Sequence, residues 1–300
     1  MRSTHLSRLV AAVVLAAVGG CAVGCADSRQ NLNPLDQAIA LNESRHVATA
    51  FEERPVVIDG ERGMESLRYF FTASETLVVT DATLEAQLRG ASIAVAAHAP
   101  MLVYSPGHRQ EILREIEKLK THTVLTVGDV SLARTSGRVR VYRDPGGMDA
   151  LGAMTAERFT AHVVESPEDA AAAVAGLDPN HPTWLRAGWA DPVVMPGAEA
   201  KPFPISSRRD AQMAPVVVAT SESPVAAVAN ARSFGAAVTV VDDPDPRESE
   251  QTLFAMAGLA ELPLVALGSQ FGTSEELSSR IMQAEEYYSA QTRVTGAQGG

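Results

Sequence analysis

ETLVVTDATLEAQLRGASIAVAAHAPMLVYSPGHRQEILREIEKLKTHTVLTVGDVSL, Glu75 to Leu132, alternates strand and helix signals along its whole length. TLVVT (76–80), PMLVY (100–104) and TVLTV (123–127) are short, continuous apolar runs without polar alternation. Strands of that kind are buried on both faces, which is the habit of a parallel sheet covered by helices. Between them, Leu84–His98 and Arg109–His122 read as helices. In the second, Ile112, Ile116 and Leu119 fall at i, i+4 and i+7 with Leu113 beside them, so one apolar stripe opposes a charged face. The runs continue outward with AHVVE (161–165), PVVVAT (215–220), AVTVV (237–241) and PLVAL (263–267). The fold class is therefore α/β, with short parallel strands flanked by helices.

The same order recurs in APVVVATSESPVAAVANARSFGAAVTVVDDPDPRESEQTLFAMAGLAELPLVALGSQFGT, Ala214 to Thr273. Each stretch runs strand, Thr with an acidic residue nearby, Ala-rich helix, strand, Pro-containing turn, charged helix and a last apolar strand. The last strand ends in Val-Gly-Asp or Leu-Gly-Ser. Two tandem related units are expected, against the alternative that any two βαβαβ segments look alike at this level. The expected segments are a first unit over 46–150, a connecting segment over 151–210 and a second unit over 211–290. Residues 26–45 read as a polar spacer, with a capping helix starting at Asp36 as the alternative. A helix is expected from Glu275, fraying after Tyr288 into a disordered tail over 291–300.

The beginning of the chain carries its own signal. Arg2 and Arg8 precede the apolar run Leu9–Val18, and small residues lead into Cys21 and Cys25. A charged region, a short apolar region and a small-residue zone make a secretion signal over 1–25. The run is short of the roughly 20 apolar residues that span a bilayer. The chain's two cysteines both stand in this zone, after Val18-Gly19-Gly20 and Ala22-Val23-Gly24. Both contexts resemble a lipobox, so a lipidated cysteine is expected at Cys25, with Cys21 as the alternative. A disulfide between the two, or an ordinary signal peptide, is the competing reading. A diacylated cysteine anchors stably, because each buried CH₂ contributes roughly 0.8 kcal/mol. The membrane is expected to be reached through this lipid only.

Composition excludes several classes. Without the leader, 23 basic residues face 36 acidic ones, a net charge of −13. Such a charge disfavours nucleic acid as a partner, and an anionic polymer would need a local basic pocket. Thiolate zinc is ruled out beyond the leader, and the seven histidines contain no His-x-x-x-His pair. No metal site and no cofactor are expected: there is no G-x-G-x-x-G, no G-x-x-x-x-G-K-[ST] and no G-x-S-x-G after a strand.

The first stretch resembles the cell-wall-binding repeat 2 family of Gram-positive surface proteins. Arg68-Tyr69 and Thr72-Ala73 look like the family's opening, and Leu88, Ala91, Ile93 and Ala94 like the end of its first helix. Ala99-Pro100-Met101-Leu102-Val103 is similar to its Ala-Pro-Ile-Leu-Leu strand, and Val127-Gly128-Asp129 stands where a glycine pair closes the repeat. The departures are Ala86 for an aspartate, Asp129 for the second glycine, and a second unit that keeps the pattern only at Val216–Val218 and Leu267-Gly268. The resemblance covers about half the chain. It implies two degenerate, Rossmann-like units and a role at the cell wall, with wall polymer or another envelope protein as partner.

In open α/β sheets, ligands gather outside the carboxyl ends of strands. That makes Thr80, Asp81 and Asp129 candidates in the first unit and Thr220 and Ser221 in the second, with Glu222, Ser105, Asp242 and Asp243 at related positions. For Asp81 and Ser221 the competing reading is a helix cap. Asp242, Asp243 and Asp245 form an acidic turn able in principle to hold a hard cation, or simply to be solvated. Trp184 and Arg186, with Trp189, form an aromatic and basic group that either binds a sugar or partner or packs in the core. The leading expectation is a non-enzymatic, lipid-anchored envelope module for binding or scaffolding. The alternative is a solute-binding lipoprotein with ligand between two lobes, which strands crossing between lobes would favour. An envelope hydrolase would need a paired constellation that the spacing does not single out.

Overall fold

The structure, a computed structural model, describes residues 33–51, 53–132, 138–206 and 213–297. Cys21, Cys25 and the leader, the first residues of the spacer and the last three of the tail lie outside the described residues.

Helix α1 (Pro34–Glu43) opens the fold, with the Asn33 side chain accepting from the Asp36 N–H at 2.9 Å. Strand β1 (Pro55–Ile58) and helix α2 (Met64–Phe70) follow. The first repeat is β2 (Thr76–Thr80), α3 (Leu84–Ala97), β3 (Met101–Val103), α4 (Arg109–Lys118) and β4 (Thr123–Val127). Every residue of β2 and β4 is buried, which is why these strands read as unbroken apolar runs. On α4, Ile112, Ile116 and Leu119 are buried as their spacing predicts, while Arg68 and Lys118 meet Glu115 on the polar side. Helix α3 is buried over most of its length. Complete burial of Leu88 and Ile93 contributes roughly 1.5–3 kcal/mol each.

The segment expected to be only a connection folds as well. It holds β5 (Arg140–Arg143), α5 (Met148–Thr155), β6 (Thr160–Val164), α6 (Ala170–Ala175) and β7 (Thr183–Ala187). Of these strands, only β6 was legible as an apolar run. The last repeat is β8 (Val216–Ala219), α7 (Val225–Phe234), β9 (Val238–Val240), α8 (Glu250–Met256) and β10 (Leu264–Leu267), and α9 (Ser274–Ala297) closes the described chain. Helix α9 continues through the residues expected to fray.

Among the described residues three parallel sheets result, ordered β3-β2-β4-β5, β9-β8-β10-β1 and β7-β6. The two larger sheets share one plan: a βαβ pair, a third strand after the next helix, and a fourth strand from elsewhere in the chain. In the first sheet, β5 is that fourth strand. In the other it is β1, which pairs with β10 from Pro55↔Leu264 to Ile58↔Leu267. The first 46–150 boundary is therefore redrawn, because residues 55–58 complete the carboxy-terminal sheet. The 26–45 spacer is redrawn too: Leu35 packs with Leu253, Ala257 and Ala284, and Asn42 Nδ2 donates to the Phe254 and Ala257 carbonyls.

The crossover helices of the three βαβ pairs meet in the middle. Helix α3 lies along α7, and α6 touches both. Each also reaches a strand of another pair: α3 to β7, α6 to β9 and α7 to β3. That cyclic pattern makes the 151–210 segment a third, truncated βαβ element beside the two repeats. On these two helices Ala91, Ala94, Val228 and Ala231 are fully buried.

Candidate functional site

The strand-end residues of the first repeat form a closed hydrogen-bonded cluster. Thr80 ends β2 fully buried, and its hydroxyl donates to the Asp81 carbonyl at 2.9 Å. Its methyl lies against α3 at Gly90, where a Cβ would come within 2.2 Å of it, so only glycine fits there. Asp81 Oδ1 accepts from the Thr83 N–H at 2.8 Å and from the Thr83 hydroxyl. Thr83, two residues past the expected position, is the residue that caps α3. Asp81 Oδ2 accepts from the Asp129 N–H at 2.8 Å, tying the β2 and β4 loops together. The turn that presents this N–H has Gly128 at φ +79°, and a Cβ there would sit 2.0 Å from Asp81 Oδ2. The Asp129 side chain itself is exposed.

The last repeat builds the equivalent brace with uncharged groups. Thr220 is buried, its N–H donates to Ser223 Oγ at 2.8 Å, and its hydroxyl accepts from Gln270 Nε2 at 2.7 Å. Ser223 donates to the Leu267 carbonyl. Ser221 is exposed and does not cap α7, whose N-cap is Pro224. The residue that completes each brace, Thr83 or Ser223, stands two positions after the residue singled out in the sequence, Asp81 or Ser221; Thr83 is exposed and Ser223 buried. A Thr or Ser at that offset from the strand end is the signal that would have found Thr83 and Ser223.

Trp184 and Arg186 lie on β7, and Trp184 faces α3. Trp184 is 7% exposed, with the guanidinium of Arg89 at 5.0 Å from its ring centroid and that of Arg186 at 5.3 Å. Trp189 Nε1 donates to Glu85 Oε1 at 2.8 Å, and the Leu185 N–H donates to Ser92 Oγ at 2.9 Å. The segment is docked on one face of α3 through Glu85, Arg89 and Ser92, which is the core-packing alternative for Trp184. Arg186 is half-buried, its Nε is buried without a hydrogen-bond partner, and no carboxylate among the described residues pairs with it.

Arg89 was not legible as a functional or structural centre. It and Asp144 are both about 1% exposed and form a side-on ion pair, with Nη2 at 2.8 Å from Oδ1 and Nε on Oδ2. Nη2 also donates to the Gly147 carbonyl at 3.0 Å. The two partners stand 55 residues apart, and nothing in either local pattern announces the other.

The acidic turn is internally engaged. Asp242 accepts from Ser249 Oγ at 2.6 Å, which holds its carboxyl below the usual range. Asp245 is held down by the guanidinium of Arg247. Among the described residues, no group of three or more His, Cys, Asp or Glu converges as metal ligands. The three clusters, Thr80–Asp81–Asp129, Thr220–Ser223–Gln270 and Arg89–Trp184–Arg186, are not joined into one site by any hydrogen bond among the described residues. A cavity of about 300 Å³ opens instead at the amino ends of the strands, lined by Arg45, Val47, Phe51, Leu259 and Pro263.

No family model matches this chain, and no curated protein matches it. Solved structures do match, and Cwp6 from Clostridium difficile is among them, with 14% identity and a TM-score of 0.44, covering 76% of this chain and 48% of that one. The present chain thus spans about half the length of that structure, and a likeness at this level assigns no activity. What the geometry itself says is that the strand-end polar groups brace loops to one another. Arg186 is the exception, a partly exposed cation on an aromatic ring with donors to spare.

Proposed function

We propose that the protein is a non-catalytic binding or scaffold module, held by a lipid on the outer face of a bacterial plasma membrane, that contacts wall polymer or another envelope protein. The observation that carries this is the leader: Arg2 and Arg8, the Leu9–Val18 run, and two cysteines confined to a small-residue zone directly before a polar segment. The non-catalytic part is supported by Asp81, Thr220 and Ser223, whose side chains are engaged in loop-to-loop hydrogen bonds. Net charge opposes non-specific attraction to an anionic polymer, so contact with one would have to be local, at Arg186 or a similar exposed cation.

Two measurements test it. Metabolic labelling with a clickable palmitate analogue is expected to mark the full chain and to be lost in Cys25→Ser or in Cys21→Ser. Label surviving in the double variant sinks the anchor. The chain lacking residues 1–25 is then incubated with purified wall sacculi across a salt series. Salt-sensitive retention supports wall contact, and no retention leaves envelope proteins as the partner class.

A solute-binding role has one observation in its favour, the passage of β1 into the carboxy-terminal sheet. It is opposed by the packing of α3 on α7, because the place where two lobes would hold a ligand is filled by fully buried side chains.

A further inference from the structure

At the edges of β3 and β7, other parts of the chain cover the outward backbone groups. In β3, the backbone groups of Met101 and Val103 point away from β2. Met101 meets Asn230, whose Oδ1 accepts from its N–H at 2.7 Å and whose Nδ2 donates to its carbonyl at 3.0 Å. The Val103 N–H donates to the Arg62 carbonyl at 3.1 Å. In β7, the outward Leu185 N–H is taken by Ser92 Oγ at 2.9 Å.

Strands β5 and β9 are edges too but are partly buried, whereas β6 is exposed from Thr160 to Val163. Its counterparts β2 and β8 are central strands with a neighbour on each side, whereas β6 pairs with β7 alone. The Thr160 N–H donates to the Pro182 carbonyl and the Gly188 N–H to the Val164 carbonyl. In a parallel ladder this directs residues 160, 162 and 164 toward β7 and the N–H and C=O groups of Ala161 and Val163 outward. Among the described residues nothing accepts or donates there. Residues 160–163 are all exposed, Val163 at 42%, and the strand contains no proline or lysine to protect it.

The two complete sheets show what fits such an edge. Strand β4 (TVLTV) lies parallel on β2, and β10 (LVAL) lies parallel on β8. Pairing across long chain separations is already used, since β1 joins β10 in the same way. Arg186 stands across the ladder from Val163 without a carboxylate partner, a half-buried cation on the same face as Val163. We infer that the free edge of β6 is a docking site for a partner protein, which adds an extended Val/Leu/Thr-rich segment bearing an acidic residue as a parallel strand. The inference is independent of the lipid anchor and of wall binding.

The test uses the chain lacking residues 1–25, because every described element lies beyond them. The probe is the synthetic peptide THTVLTVGD, equivalent to Thr121–Asp129. Saturating peptide is expected to slow amide exchange at Ala161 and Val163 at least tenfold, leaving His162 unchanged. Val163→Pro removes an outward N–H without touching the ladder to β7, and is expected to abolish peptide binding. Val163→Thr keeps that N–H and is expected to retain binding, so a misfolded proline variant does not decide the matter. A peptide with lysine in place of the final aspartate is expected to bind several-fold more weakly. Protection of Ala161 and Val163 in the free monomer would overturn the inference, as would concentration-dependent protection by a second copy, absence of peptide binding, or binding that Val163→Pro leaves intact. Equal binding by the lysine peptide would overturn the stated partner chemistry.

Discussion

Asn230, in the middle of α7, pairs through its side-chain amide with both backbone groups of Met101 in β3, 129 residues away. The same Nδ2 reaches the Gly63 carbonyl at 3.0 Å and Ser66 Oγ at 2.9 Å, so one buried side chain fastens α7 to β3 and to the start of α2. Gly63 is part of the joint. With φ +77°, a Cβ there would stand 2.8 Å from the Ala226 Cβ and 2.9 Å from the Met101 carbonyl.

Asn230→Leu keeps the number and branching of side-chain heavy atoms and removes every one of these bonds. A buried group left unpaired costs about 1–3 kcal/mol, and at least three backbone groups lose Asn230 as partner. The expected loss in urea unfolding is about 3 kcal/mol or more. A loss below about 1 kcal/mol would mean that water replaces the amide and that the edge of β3 is less dry than its burial shows.

The buried pair of Arg89 and Asp144 behaves differently when cut once or twice. Arg89→Met alone strands a carboxylate in the interior, which costs about 3–5 kcal/mol. Adding Asp144→Leu removes the stranded charge, so the double variant is expected to be more stable than Arg89→Met alone. The cycle is read from chemical denaturation midpoints with constant slopes. Additive losses would show that the two side chains act separately, against the bidentate geometry.

Glu115 gives the fold a pH dependence with a defined sign. Burial works against its ionisation, yet hydrogen bonds from Arg68 at 2.7 Å and Lys118 at 2.9 Å prevail and hold its carboxyl below the usual range. A carboxylate lowered in the folded state adds stability that is fully present above its unfolded value, about 4.3. That contribution is lost as pH falls through the lower folded value. The stability difference between the natural chain and Glu115→Gln is therefore expected to be constant from pH 7 to about 5 and to shrink below about 4.3. A difference that grows on acidification contradicts the assignment.

How far the sequence could be read depended on how local each cause was. The unbroken runs at β2, β4, β8 and β10 are buried on both faces, so their composition alone exposed them. Strand β5 escaped notice because its RVYR pattern is half-exposed at a sheet edge. Strand β7 hid behind Trp184 and Arg186, which look like a binding motif, while Trp184 packs under Arg89 of α3. Loop positions such as Asp81 and Thr220 were found because strand ends are marked by Thr and acidic residues. Their partners, Asp129 N–H and Gln270, lie 48 and 50 residues away, and no local pattern records such a pairing. The placement of β1 was hidden for the same reason.

That placement leads to the last prediction. Residues 33–58 precede the first repeat in sequence but complete the last one in space, through β1 on β10 and α1 against α8 and α9. Without β1, the Leu264–Leu267 strand would change from a central strand to an edge, and its outward backbone groups, now bonded to β1, would face water. The Gly268 N–H would also lose the Ile58 carbonyl it now meets at 2.7 Å. A chain starting at Asp59 is therefore expected to show faster amide exchange in β8 and β10 than in β2 and β4, although the deletion lies next to the latter in sequence. Exchange that rises first in β2 and β4 would mean that β1 serves the repeat it precedes. Equal acceleration in both sheets would mean that the three βαβ elements unfold as one body, with the central packing of α3, α6 and α7 outweighing the sheets they serve.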